Sequence, residues 1–195
     1  GGTPAAPMLW IGESGGRALE DADRQPRRPT HPTMAPSHIA ELLDAIHGTK
    51  VFIGCRAAAE DEALLETHNI IAIITVGANP PACTADVSMK LKLRLDDLST
   101  GPLLGHLQKA FPFIEKALQS EENGAVLVTF EEEDGEAGAT AVVLGWLMAH
   151  QQVPWSDAPD AIKADRPSAL LNPNYEKQLK VWSKWKEFPG FPEWV

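Results

Sequence analysis

Cysteine is scarce in this chain. Cys55 and Cys83 are the only two in 195 residues, too few for the disulfide framework of a small secreted domain. Both are read as reduced thiols in an intracellular, cytoplasmic protein. No apolar run reaches the roughly 18 residues needed to cross a bilayer, and the first residues lack the apolar stretch of a secretory signal. The chain opens on Gly1-Gly2-Thr3 rather than Met, which points to sequence upstream. Positive charge is also short: 17 Lys and Arg stand against 27 Asp and Glu, a net charge of −10. That balance disfavours nucleic acid and anionic membrane surfaces as partners. The six histidines, at 31, 38, 47, 68, 106 and 150, show no paired ligand spacing on one helix. No metal site and no cofactor are implied.

What is present suits one domain. Hydrophobic residues make up 44% of the chain, with six Trp and six Phe to fill a core. Residues 1–36 are rich in Pro, Gly, Arg and Asp and are read as a flexible leader with one apolar island, Met8 to Gly12. Residues 37–187 form the domain, and residues 188–195 an extended aromatic and proline tail with Phe188, Phe191 and Trp194.

Within the domain, Ser37 caps a predicted helix from His38 to His47, stopped by Gly48. Val51–Gly54 reads as a strand, and Ala57–Thr67 as a helix. Ile70–Val76 is a β-branched run that fits a strand covered on both faces. Met89–Leu95 alternates, with Lys90, Lys92 and Arg94 opposite the apolar set. Leu103–Ser120 is an amphipathic helix, kinked or broken at Pro112. Ala125–Phe130 is a second buried strand, and Gly138–His150 a very apolar helix. Helices over Ser156–Asp165 and Asn174–Glu187 follow. Alternating strands and helices give an α/β fold: a central, mostly parallel sheet with helices on both faces. Ligands of such sheets sit beyond the carboxyl ends of the strands. Chemistry is therefore expected just after Phe130.

Four stretches resemble the dual-specificity protein phosphatase family of the protein tyrosine phosphatase superfamily. They are Val51 to Ala58, Asn69 to Val76, Leu93 to Asp97 with the helix after it, and Asp165-Arg166-Pro167 with Asn172 to Leu179. The last, Arg-Pro and then Pro-Asn, an aromatic and Gln-Leu, is the most specific. The resemblance covers about residues 48–186 and implies that family's fold.

In active members a strand runs into His-Cys, five residues, then Arg and Ser or Thr. The Cys is a low-pKa thiolate nucleophile, the Arg a bidentate phosphate clamp, and the loop N–H groups cradle the anion. Here the segment reads Phe130-Glu131-Glu132-Glu133-Asp134-Gly135-Glu136-Ala137-Gly138. One register puts Phe130 at the His, Glu131 at the Cys and Ala137 at the Arg. A shift of one puts Glu132 at the Cys and Gly138 at the Arg. In either register both functional side chains are missing. From Thr129 to Ala149 there is no Cys, His, Lys or Arg.

Five carboxylates fall within six residues. Each carboxylate about 6 Å from a unit negative charge costs on the order of 3 kcal/mol at an effective dielectric of 20. With no Arg nearby to offset them, they repel a phosphodianion. One of them, Glu136, is expected to cap the following helix and fill the former anion site. Asp97, or Asp96, matches the family's general acid and is read as a relic.

These residues predict a pseudophosphatase that is no enzyme and serves as a protein-binding or scaffold module. A partner with a basic surface would suit the acidic loop. A structural subunit of a larger assembly is the alternative. A divalent-cation-binding or repurposed enzyme using the loop ranks below both.

Overall fold

The computed structural model describes residues 43–77, 80–82, 87–95, 102–131 and 135–185. The expected leader and tail, the apolar island, Cys83, Asp96 and Asp97 lie outside them, as do Glu132, Glu133 and Asp134.

Five strands form one sheet in the order β1-β2-β5-β3-β4. They are β1 Leu43–Ala45, β2 Val51–Cys55, β3 Ile70–Val76, β4 Met89–Leu93 and β5 Ala125–Phe130. Strands β2, β5, β3 and β4 run parallel, and only β1 is antiparallel, against β2. The helices are α1 Arg56–Glu60, α2 Glu62–Thr67, α3 Leu104–Ser120, α4 Glu136–His150, α5 Ala158–Asp165 and α6 Pro173–Trp185. The expected α/β class, with a mostly parallel sheet covered on both faces, is observed.

The central strands follow from their composition. All seven residues of β3 and all six of β5 are buried. Such strands have no polar face and need cover on both sides. On one face Val126, Val128 and Phe130 join a large core with residues of α3, α4, α5 and α6. On the other, Ile73 and Leu127 pack with Ala59 and Leu65 of α1 and α2. Helix α4 has no polar stripe because it sits between neighbours, and Ala137 through Met148 are all buried. Helix α6 buries Tyr175, Leu179 and Trp182 at helical spacing. Its Gln178 Oε1 accepts a bond from the Leu103 amide at 2.8 Å, tying α6 to the start of α3.

Three expectations are corrected. The helix expected over His38–His47 is not formed at its carboxyl end. Leu43–Ala45 is instead the strand β1, paired with Phe52–Gly54. His47 and Gly48 both take positive φ, 54° and 66°, and two such residues in succession turn a chain back on itself. The helix expected over Ala57–Thr67 is two helices. Asp61 sits between them in an extended conformation, and its carboxylate accepts from the Leu64 amide at 3.1 Å as the cap of α2. Helix α3 runs through Pro112 unbroken, with that proline on its exposed side. Among the described residues no helix is long and apolar enough to cross a membrane.

Candidate functional site

The parallel strands bring their carboxyl ends to one edge. Cys55 pairs with Phe130, Phe130 with Val76, and Val76 with Leu93, so these four lie in one row. Helix α4 rises from this row. Its first turn is where free backbone N–H groups and the helix dipole favour negative charge.

Glycines set how closely the parts approach. A Cβ on Gly135 would lie 2.8 Å from Phe130 Cβ, so the turn from β5 into α4 closes on its own strand end. A Cβ on Gly138 would lie 2.8 Å from Val76 Cγ1 and 3.3 Å from Leu95 Cβ. The start of α4 is therefore pressed against the ends of β3 and β4. Gly77, at φ 129°, leaves room for the Glu131 side chain, whose Cγ and Cδ would be 3.2 Å from a Cβ there.

Of the residues singled out from the sequence, Phe130, Glu131, Gly135, Glu136, Ala137 and Gly138 do meet at this end of the sheet. Phe130 is in the core, only 6% exposed. Gly135 is the N-cap of α4 and, being glycine, offers no side chain to cap it. Glu136 is thus not the expected cap. It is the first helical residue, and its Oε1 lies 2.8 Å from Nε of Arg166. The Arg166 guanidinium also stands over the Phe130 ring, 5.5 Å from its centroid.

Arg166 is the residue that sequence reasoning missed as part of the site. It is 6% exposed, among the few buried charged or polar residues of the described chain. The expectation that no Arg offsets the loop carboxylates is corrected. The cation comes from 30 residues downstream, where the chain after α5 brings Arg166 to Glu136 at the start of α4. The signal was the Arg-Pro motif itself, read as a family mark without a role. A buried ion pair of this kind is desolvated at a cost, which its mutual attraction and further hydrogen bonds must offset.

Two other polar clusters occur among the described residues. Glu60 accepts from Arg56 Nε at 2.8 Å and from the Ala82 amide at 3.0 Å. The Ala82 bond first, then the Arg56 bond, holds its carboxyl below the usual range. Between α3 and α4, Glu115 Oε1 accepts from Trp146 Nε1 at 2.9 Å and lies 3.3 Å from His150 Nδ1. Burial pushes His150 below the ordinary imidazole value, and Glu115 only partly restores it. Cys55 is half-buried, in no disulfide, and is the N-cap of α1. No group of three His, Cys, Asp or Glu that could hold a metal ion occurs among the described residues.

No family model matches the chain. It is similar to mouse dual specificity protein phosphatase 19, at 28% identity over 140 residues covering 72% of this chain and 62% of the relative. It is similar to human dual specificity protein phosphatase 12, at 31% identity over 135 residues covering 67% of this chain and 38% of the relative. The chain thus spans less than two thirds of either relative. The crystal structure of human DUSP28 superimposes with a TM-score of 0.67 at 25% identity, over 75% of this chain and 97% of that one.

These matches overturn the expectation that the chain is no enzyme. The relatives are named as phosphatases. That expectation rested on two missing side chains in one segment, and the fold brings a guanidinium to that segment from elsewhere. In sequence and in fold, the chain is similar to the dual specificity protein phosphatases.

Proposed function

We propose that the chain works as a protein-binding module, a scaffold built on the dual-specificity phosphatase fold. The observation that supports this reading is the segment between β5 and α4. It carries Glu131, Glu132, Glu133, Asp134 and Glu136, with no Cys, His, Lys or Arg from Thr129 to Ala149. Arg166, the cation that reaches it, is held by Glu136. Such a run of carboxylates suits a basic patch on a partner, which speeds encounter and fixes orientation. The partner in this reading is a protein rather than nucleic acid, on the strength of the −10 net charge, and the chain works in the cytoplasm. Residues 37–187 are the binding domain, with 1–36 and 188–195 as its flanks.

Affinity purification of the full chain with mass spectrometry tests this. A parallel variant carries Glu131→Gln, Glu132→Gln, Glu133→Gln and Asp134→Asn. The reading expects stoichiometric partners that the variant loses. A single dominant complex identifies the chain as a structural subunit, which is the scaffold role in its strictest form. Absence of any stoichiometric partner, together with turnover of an aryl phosphate by the purified chain, overturns the reading.

A further inference from the structure

Between α5 and α6 the chain runs from Pro167 to Tyr175 without a charged side chain, although charged residues make up 23% of the whole. The segment lies within residues 135–185, which are described without a break. Pro167, Ser168, Leu170 and Pro173 are exposed. Leu170 is 65% exposed, the most of any large hydrophobic residue among the described ones, and Val181 follows at 46%. A single apolar side chain on a surface is ordinary. Three of them in one short uncharged run, with a serine and asparagines between, are the kind of concentration that marks a contact surface.

The backbone that carries them is fixed. The Arg166 amide donates to the Ile162 carbonyl at 2.8 Å, and the Ala169 amide closes a turn on the Arg166 carbonyl at 3.0 Å. Ala169 is buried in the core, and Leu171 packs against it. Asn172 accepts from the Asn174 amide at its side chain, at 2.8 Å, and from the Glu176 amide at its carbonyl, at 2.9 Å. Arg166, Ala169 and Leu171 thus hold the segment from within, and Pro167, Leu170 and Pro173 are left outside. A surface ordered in this way loses little freedom when a partner covers it.

Arg166 also joins this segment to the start of α4, through Glu136 at 2.8 Å. The turn closed by Ala169 keeps its end Cα atoms within about 7 Å, and Leu170 is the next residue, so it stands within about 11 Å of Arg166 along the backbone. A standard interface covers about 800 Å² of each partner, roughly 30 Å across. That is wide enough to take in Leu170 together with the carboxylates between β5 and α4.

We propose that Leu170, flanked by Pro167 and Pro173, is the apolar anchor of a composite docking surface whose charged half is the acidic segment between β5 and α4. Its occupant is a protein with an apolar socket bordered by Lys or Arg. The inference rests on the protein-binding reading above and adds the side chain that supplies the apolar contact. The acidic segment repels a second copy's acids and anionic lipid headgroups and attracts cations, so charge selects among partners. Leu170 supplies the dry contact that such charges surround.

The test is photo-crosslinking of the full chain, with benzoylphenylalanine placed at position 170 or, as a control, at 181. The expected result is one protein crosslinked from 170 and not from 181. That protein is purified and titrated against the chain. Leu170→Ser weakens binding by about tenfold, whereas Val181→Ser leaves it unchanged. The variant Glu131→Gln, Glu132→Gln, Glu133→Gln, Asp134→Asn weakens it as well and reduces its dependence on salt. Binding that needs the acids and not Leu170 overturns the anchor and leaves the protein-binding reading standing. Absence of any crosslinked or co-purified protein overturns both. Self-association in sedimentation that Leu170→Ser abolishes assigns the surface to a second copy, and binding to phosphatidylcholine vesicles that it abolishes assigns it to lipid; either result sinks the proposal. Leu170→Ser should also leave the melting temperature within about 2 °C of the unaltered chain. A larger fall means that Leu170 serves the chain's own packing, and the proposal fails.

Discussion

Glu136 and Arg166 meet where two desolvated side chains depend on each other. Arg166 is 7% and Glu136 19% exposed at the side chain, with 2.8 Å between them. Removing one partner leaves the other charge buried, which costs several kcal/mol, whereas replacing both by apolar groups is often close to neutral. The Phe130 ring under the guanidinium adds about 1 kcal/mol of cation–π attraction to what Arg166 supplies. Arg166→Ala is therefore expected to destabilise the chain by on the order of 3 kcal/mol. Glu136→Ala should also destabilise the chain, and the double change Glu136→Ala with Arg166→Ala should cost less than the sum of the two. Urea unfolding midpoints at constant slope give these values. Strict additivity would mean that the two side chains do not act as a pair.

At the scale of elements, strength of the local signal decided what was legible. Strands β3 and β5 appeared at their observed bounds, because an unbroken β-branched run has no helical alternative once it is that short. Helix α4 was legible too, and starts two residues earlier than expected. Strand β1 was not. Leu42, Leu43 and Ile46 fit a helical face, and the turn that overrides them begins at His47, for which positive φ is enriched yet still uncommon. Asp61 was hidden in the same way, since a lone Asp inside a helical pattern reads as a solvated face until its cap bond is seen. The candidate site shows the same division. The acids and missing side chains between Phe130 and Gly138 were in plain view. The Arg166 contact depends on a turn after α5 that no periodicity encodes. The cap is directly testable: Asp61→Ala should destabilise the chain by about 1 kcal/mol and raise amide exchange in α2 first. Unchanged exchange at Leu64 would show that the short helix does not need the bond.

For the whole molecule, pH is the variable that its half-buried imidazoles make informative. His150 lies against the Phe111 and Trp146 rings, with Glu115 as its charged neighbour, and its Nε2 is buried with no hydrogen-bond partner. Burial holds its pKa below the ordinary value, with Glu115 acting the other way. His106 on α3 is lowered as well, first by burial and then by Lys109. The unfolded chain therefore binds protons at these two sites more readily than the folded chain does. Stability from them is complete above the unfolded histidine value of about 6.5 and is lost as pH falls through the lowered folded values. Glu60, also lowered, acts with the same sign in the more acidic range where carboxylates titrate. The melting temperature is thus expected to fall steadily from pH 7 to pH 5. His150→Gln should flatten that fall while leaving the cap at Asp61 and the pair at Glu136 and Arg166 intact. The ion pair from Glu115 sets the alternative, because a protonated His150 beside it would gain an attraction. If Glu115 outweighed burial, acidification through pH 6 would raise the melting temperature, and Glu115→Gln would reverse the sign. Melting curves of the unaltered chain and these two variants across that range decide between desolvation and the carboxylate as the force that governs the α3–α4 contact.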